Sequence, residues 1–332
     1  MNMRDVILDS PRQITHSIEV NKDVKVEGEF DSIILAGMGG SGHPGDLLNA
    51  LSLTNIPLTV HRNYDLPRTF GKNNLFIASS YSGNTEESIT AYHAAKKAGF
   101  ALMVNAAGGK LEALTREDGV PFTKIDFTDM QPRHTLYASF VGLSTALGNS
   151  GLAKNISEDL ARVAEVLTGR IPTLEDAAKD LAKKLKNNIP IYTASNILGF
   201  AAKNFKIQTN ENAKTPAFWN EFPELNHNEM VGFSNPVPGY SGKFYVVMLR
   251  DKDDHIRTQA RMDVTKQLYA QWGIEVSEFH VEGKTLLEKI FTAVAFGMWT
   301  TMYLAEEYGI DPVPVAGVED FKKKLEEVAG KI

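Results

Sequence analysis

The chain has 332 residues, 43% hydrophobic and 23% charged, which is ordinary globular composition and long enough for two domains. Its 41 acidic against 35 basic residues leave a net charge of −6, which argues against nucleic acid as the main partner, and the absence of cysteine excludes disulfides, thiolate nucleophiles and Cys-held metals. No apolar run approaches the ~20 residues of a membrane helix, and the start MNMRDVILDSPRQ lacks the apolar centre of a signal peptide, so a cytoplasmic protein without a membrane partner is expected.

In chain order, residues 1–30 read as a helix and a polar lead-in. A short buried strand at 31–36 runs into Gly-Met-Gly-Gly-Ser-Gly at 37–42, and a helix continues through 46–50. Strands are predicted at 56–61 and 74–79. The second of these leads into Ser-Tyr-Ser-Gly-Asn-Thr at 80–85, then a helix to about Lys97, Gly99 as its terminator, and a strand at 101–105. Residues 130–135 form a linker with Pro132-Arg133, ahead of an apolar helix from Leu136. The plan then repeats: helix 177–186, strand 189–194, a long helix from about Leu198, strand 243–250, helix 256–272, Gly273 and strand 274–279. A last helix spans 319–327. Strands alternating with helices predict parallel sheets covered on both faces, in two domains of similar plan at 1–155 and 156–332.

Ligands sit beyond the carboxyl ends of such strands. The 80–85 segment places Ser80, Ser82 and Thr85 beside a helix N-terminus, whose unpaired amides and positive dipole end suit a phosphate. The alternative is a plain capping turn made by Thr85 or Asn84. Glu86 and Glu87 would repel a phosphate if turned toward it, and are expected to point outward. Gly37, Gly39 and Gly42 fit a dinucleotide fingerprint, a tight turn, or a backbone nest around a sugar with Ser41 adding a hydroxyl. The second strand ends in His61-Arg62 rather than a carboxylate, which leaves a 2′-phosphate as the only dinucleotide option. Arg133 is either a solvated charge or a cation held by Pro132 at a cleft. Asn-Glu-Asn-Ala-Lys at 210–214 and Glu-Leu-Asn-His-Asn-Glu at 224–229 supply Glu211 and His227, read either as helix-end and cap residues or as a proton-transfer pair. Zinc on His227 with Glu224 or Glu229 lacks further histidine ligands nearby.

Taken together and in order, these motifs resemble tandem sugar isomerase (SIS) domains, and more closely the bifunctional phosphoglucose/phosphomannose isomerase family, over almost the whole chain. The resemblance implies two doubly wound, flavodoxin-like parallel-sheet domains with a C-terminal helix. It implies interconversion of glucose 6-phosphate and mannose 6-phosphate with fructose 6-phosphate through a cis-enediol, with no metal and no cofactor. By the same resemblance Ser80, Ser82 and Thr85 hold the phosphate, while Gly39, Gly40 and Ser41 line the sugar. Glu211 is the base and Arg133 stabilises the enediolate. His227 assists ring opening and is lent by the neighbouring subunit of a homodimer, and Lys322 shares that step. The competing readings are a non-catalytic sugar-phosphate sensor, which needs neither Glu211 nor His227, and an NADP-linked oxidoreductase. The apolar stretch 290–304 is read as favouring self-association.

Overall fold

The computed structural model describes residues 1–235 and 241–330, in two compact units. The first is residues 9–165, and the second joins residues 2–8 to the chain from Val166 onward. The sequence expectation divided the chain at 155/156, whereas the two units divide inside a helix.

The elements in chain order are α1 (Met3–Leu8), α2 (Ser10–Asn21), β1 (Ser32–Ala36), α3 (His43–Ala50), β2 (Leu58–His61), β3 (Asn74–Ser80), α4 (Glu86–Lys97), β4 (Ala101–Ala106), α5 (Gly109–Asp118), β5 (Phe122–Lys124) and α6 (Leu136–Asn149). They continue with α7 (Ser157–Thr173), α8 (Glu175–Leu185), β6 (Ile189–Ser195), α9 (Gly199–Asn212), β7 (Phe218–Phe222), α10 (Glu229–Gly232), β8 (Phe244–Arg250), α11 (Ile256–Gln271), β9 (Glu275–His280), α12 (Leu286–Glu307) and α13 (Ala316–Ala329).

The first sheet is wholly parallel in the order β2-β1-β3-β4-β5, a doubly wound arrangement whose crossover lies between β1 and β3. All seven residues of β3 are buried, as expected of a central strand covered on both faces. Phe76, Ala78, Tyr92 and Val104 build the core between the sheet and α4.

The second sheet is parallel in the order β7-β6-β8-β9, so its crossover lies between β6 and β8. Side chains alternate across it. Tyr192 of β6 stacks on Phe205 of α9 and bonds Thr209, while its neighbour Ile191 packs with Met262 and Tyr269 of α11. Thus α9 and α11 cover opposite faces.

Three elements depart from the sequence reading. The segment Phe218–Phe222 was not read as a strand. It is an edge strand, exposed or half-buried except at Phe222, so it carries little apolar alternation to announce it. The stretch 290–304, read as a self-association face, is buried within α12 and forms the core of its own unit. The N-terminal helix α1 belongs to the second unit. Met3, Val6 and Ile7 are buried there, and Arg4 reaches Glu175 (3.0 Å from Nη2) while lying over the Trp299 ring.

Trp299 is fully buried and its indole N–H donates to the Ile171 carbonyl at 3.0 Å. Trp299→Ala should therefore cost roughly 3–5 kcal/mol, seen as a lowered denaturation midpoint.

Candidate functional site

In the first unit the loops after β1 and β3 both open at the crossover, where a doubly wound sheet leaves its ligand crevice. The loop after β3 is a knot of hydroxyls. Ser80 Oγ lies 2.8 Å from Thr85 Oγ1 and 3.5 Å from Ser82 Oγ. Ser80 Oγ also accepts from Gly83 N at 3.1 Å, and Ser82 Oγ accepts from Asn84 N at 3.2 Å. Thr85 sits at the N-cap of α4 in extended conformation, yet its side chain makes no capping bond. Its hydroxyl serves Ser80 instead. The capping explanation therefore fails, and the first amides of α4 keep their capacity to bind an anion.

Gly83 has φ +65, and a Cβ there would meet the Gly108 carbonyl oxygen at 1.7 Å. Only glycine allows the turn to press so closely on the β4–α5 connection. Asn84 completes the join by accepting from Lys110 N at 3.0 Å.

Ser41, in the 3-10 turn Gly39–Gly42 after β1, accepts from Tyr81 N at 3.0 Å and so couples the glycine loop to the hydroxyl turn. The Tyr81 hydroxyl in turn donates to the carbonyls of Phe127 (2.7 Å) and Met130 (2.6 Å), which fixes the approach to Pro132-Arg133. Arg133 is 4% exposed in the 3-10 turn Pro132–Thr135, and its backbone lies 3.4 Å from where a Gly40 Cβ would stand. Gly40 thus permits close approach of the arginine segment. Ser80, Ser82, Thr85, Gly39, Gly40, Ser41 and Arg133 are brought together in one unit. Tyr81, which stitches them, was passed over in the sequence because it sits between the serines and looks like filler.

Two further residues are placed by their neighbours. Glu86 and Glu87 are half-buried at the start of α4, and after burial their charges push up the phenol of the exposed Tyr64. Arg62, the residue considered for a 2′-phosphate, is held by Asp46 at 2.7 Å and packs beside Gly42, which removes the observation favouring a dinucleotide.

In the second unit Glu211 lies half-buried on the last turn of α9. Its neighbours are pinned. Asn212 Nδ2 donates to Thr301 Oγ1 at 2.9 Å, and Lys214 Nζ donates to the carbonyls of Asn212, Asp311 and Pro312 at 3.1, 3.0 and 3.2 Å. His227 is exposed in the 3-10 turn Glu224–His227, which packs on the other face of the sheet: Leu225 joins the core with Met262, and Asn226 Nδ2 donates to Thr265 Oγ1 at 2.8 Å. The sheet stands between the helix carrying Glu211 and the turn carrying His227, so sequence proximity does not make them a pair within one chain. Glu224 accepts from Asn228 and Glu229 from Asn220, and among the described residues no three His, Asp or Glu converge as metal ligands. Lys322 is exposed on α13 and pairs with Glu319 at 2.9 Å.

A model of the bacterial phospho-glucose isomerase C-terminal SIS domain matches residues 174–325. A bifunctional phosphoglucose/phosphomannose isomerase from Caldicellulosiruptor bescii is 35% identical over 339 residues, covering 98% of this chain and 99% of that protein. The chain belongs to the bifunctional phosphoglucose/phosphomannose isomerase family. A second such isomerase, from Thermoplasma acidophilum, is 32% identical over 90% of this chain and 91% of its own. Among solved structures, the C-terminal domain of glucosamine-fructose-6-phosphate aminotransferase from Francisella tularensis shares the fold, with a TM-score of 0.71 at 14% identity over 94% of this chain and 98% of that one. The family's SIS architecture is thus the one built here, and no helix among the described residues is long and apolar enough to cross a membrane.

The hydroxyl turn makes a direct prediction. Inorganic phosphate should raise the melting temperature of the native protein, and Gly83→Ala should lower that temperature and remove the phosphate effect, as read by thermal denaturation with and without phosphate.

Proposed function

We propose that the protein is an aldose–ketose isomerase acting on hexose 6-phosphates, converting both glucose 6-phosphate and mannose 6-phosphate to fructose 6-phosphate through a cis-enediol. The observation that carries this reading is the uncapped, hydroxyl-lined N-terminus of α4 at the first crossover, in a chain of this family. Ser80, Ser82 and Thr85 take the phosphate, and Gly39, Gly40 and Ser41 border the sugar. The phosphate is remote from the carbons that react, so its binding energy serves to position C1 and C2.

The proton at C2 of an aldose phosphate is weakly acidic. Its removal needs a base at contact distance and positive charge near the developing oxyanion. Glu211 is the base, moving one proton between C2 and C1, and Arg133 is the cation. One base serving both carbons runs equally in either direction. The SIS-sensor alternative has no use for a glutamate held as firmly as the pinned segment around Glu211.

His227 assists ring opening, with Lys322 sharing the step. The second sheet stands between the elements bearing Glu211 and His227, which supports a histidine that serves a site in a second copy of the chain, in a homodimer. The expected location is the cytoplasm, where hexose phosphates are metabolised.

Four measurements test this reading. A coupled assay with chelator present should show fructose 6-phosphate formed from both hexose phosphates; formation from neither overturns it. Glu211→Gln should abolish turnover with sugar-phosphate binding nearly unchanged, and wild-type turnover in that variant would remove Glu211 as the base. Ser82→Ala should raise KM several-fold with little change in kcat, since a hydroxyl–phosphate bond is largely uniform binding. Mixing inactive Glu211→Gln with inactive His227→Ala after subunit exchange should regain activity, because hybrid dimers contain one intact site. No regain would place His227 in its own chain's site.

A further inference from the structure

The second sheet has a crossover of its own, between β6 and β8, and the loops after these strands meet at its carboxyl edge. The equivalent place in the first sheet is lined with hydroxyls and helix amides. Here it is acidic: Ser195 ends β6, and Asp251, Asp253 and Asp254 follow β8.

Lys289 of α12 answers part of that charge. It is 5% exposed, and its ammonium donates to Asp251 Oδ1 and Oδ2 at 2.7 and 2.8 Å and to Asp253 Oδ2 at 2.6 Å. An ammonium has three protons, and all three are engaged. Asp253 is largely exposed, so its charge is screened by water. Asp251 and Lys289 cancel. Asp254 is left over.

Asp254 is 4% exposed, and neither of its carboxyl oxygens has a hydrogen-bond partner. The Ser195 hydroxyl, which faces it, has none either. The Thr193 hydroxyl, two residues earlier on the same face of β6, is likewise buried and unpartnered. An ionised carboxylate buried without a partner is costly, and the penalty is removed by a counter-charge. Burial pushes the Asp254 carboxyl up; the facing Ser195 hydroxyl draws it partly back, the Asp251 charge adds to the rise, and the Asp251 backbone and the Lys289 charge oppose it.

We propose that Asp254 and Ser195 bind a monovalent cation of ammonium or potassium size at the second crossover. One uncompensated carboxylate matches one unit of charge. Magnesium or calcium would bring a second positive charge that one carboxylate does not balance, and no convergence of three His, Asp or Glu exists among the described residues. The neighbouring Lys289 cradle shows the same chemistry already filled, with one ammonium nitrogen held by three oxygens. The two Asp254 oxygens and Ser195 Oγ offer an equal number of acceptors. The site takes a cation where the first crossover takes an anion, and it does not depend on the isomerase reading.

The test is thermal unfolding of the full chain at neutral pH and constant ionic strength, with choline chloride replaced stepwise by ammonium, potassium or sodium chloride. The melting temperature should climb by several degrees with the logarithm of ammonium or potassium concentration, following mass action, and the salt that acts identifies the ion. Asp254→Asn should abolish the climb, and Ser195→Ala should shift it to higher concentration. If Asp254→Asn does not fold, the wild-type series decides alone. A melting temperature equal in all salts overturns the proposal. So does one that falls with rising pH but ignores the cation, which would mean that Asp254 is held by a proton.

Discussion

The bond between Ser80 Oγ and Thr85 Oγ1 is the constraint on which the first unit's chemistry depends. A threonine at a helix N-cap ordinarily turns its oxygen to the helix amides. Here that oxygen is engaged with Ser80 and makes no cap bond, while Gly83 lets the turn fold tightly against the Gly108 carbonyl. The helix start is left unanswered by the protein itself, and an anion can answer it. Ser41 and Tyr81 then carry the same rigidity outward, to the glycine loop on one side and to the Arg133 segment on the other. Few of these bonds is strong by itself. Their effect is to hold hydroxyls, amides and a buried guanidinium in fixed register, so that little reorganisation is needed when charge develops on a substrate.

The second unit repeats the topology and reverses the electrostatics. Its crossover bears carboxylates and one lysine where the first bears hydroxyls and amides. Topology therefore decides where ligands can go, and the residues at the strand ends decide their sign. The same unit also shows why nearness in sequence is a poor guide to shared chemistry. Glu211 and His227 are separated by only one short strand in the chain, but that strand is part of a sheet whose two faces carry them apart.

Much was legible in the sequence because it is local. Alternation of strand and helix, the glycine and hydroxyl motifs at strand ends, and the Pro-Arg turn each reflect backbone needs that neighbouring residues satisfy, so the tandem doubly wound fold and the hydroxyl turn could be read directly. Edge strand β7 could not, since an exposed strand has no apolar period to display and is specified by pairing with β6. Nor could the nearness of Glu86 and Glu87 to Tyr64, which lies in the loop after β2.

By itself, then, the sequence determined which residues stand at the ends of which strands, and hence the chemical character of the first crossover. Tertiary structure alone decided that α1 joins the second unit, that the apolar run of α12 is core rather than interface, and that Asp254 is buried without a partner while Asp251 has one. The physical reason is common to all three. Burial and pairing are relations between segments far apart in the chain, and a residue's own neighbours carry no record of what the fold will place against it.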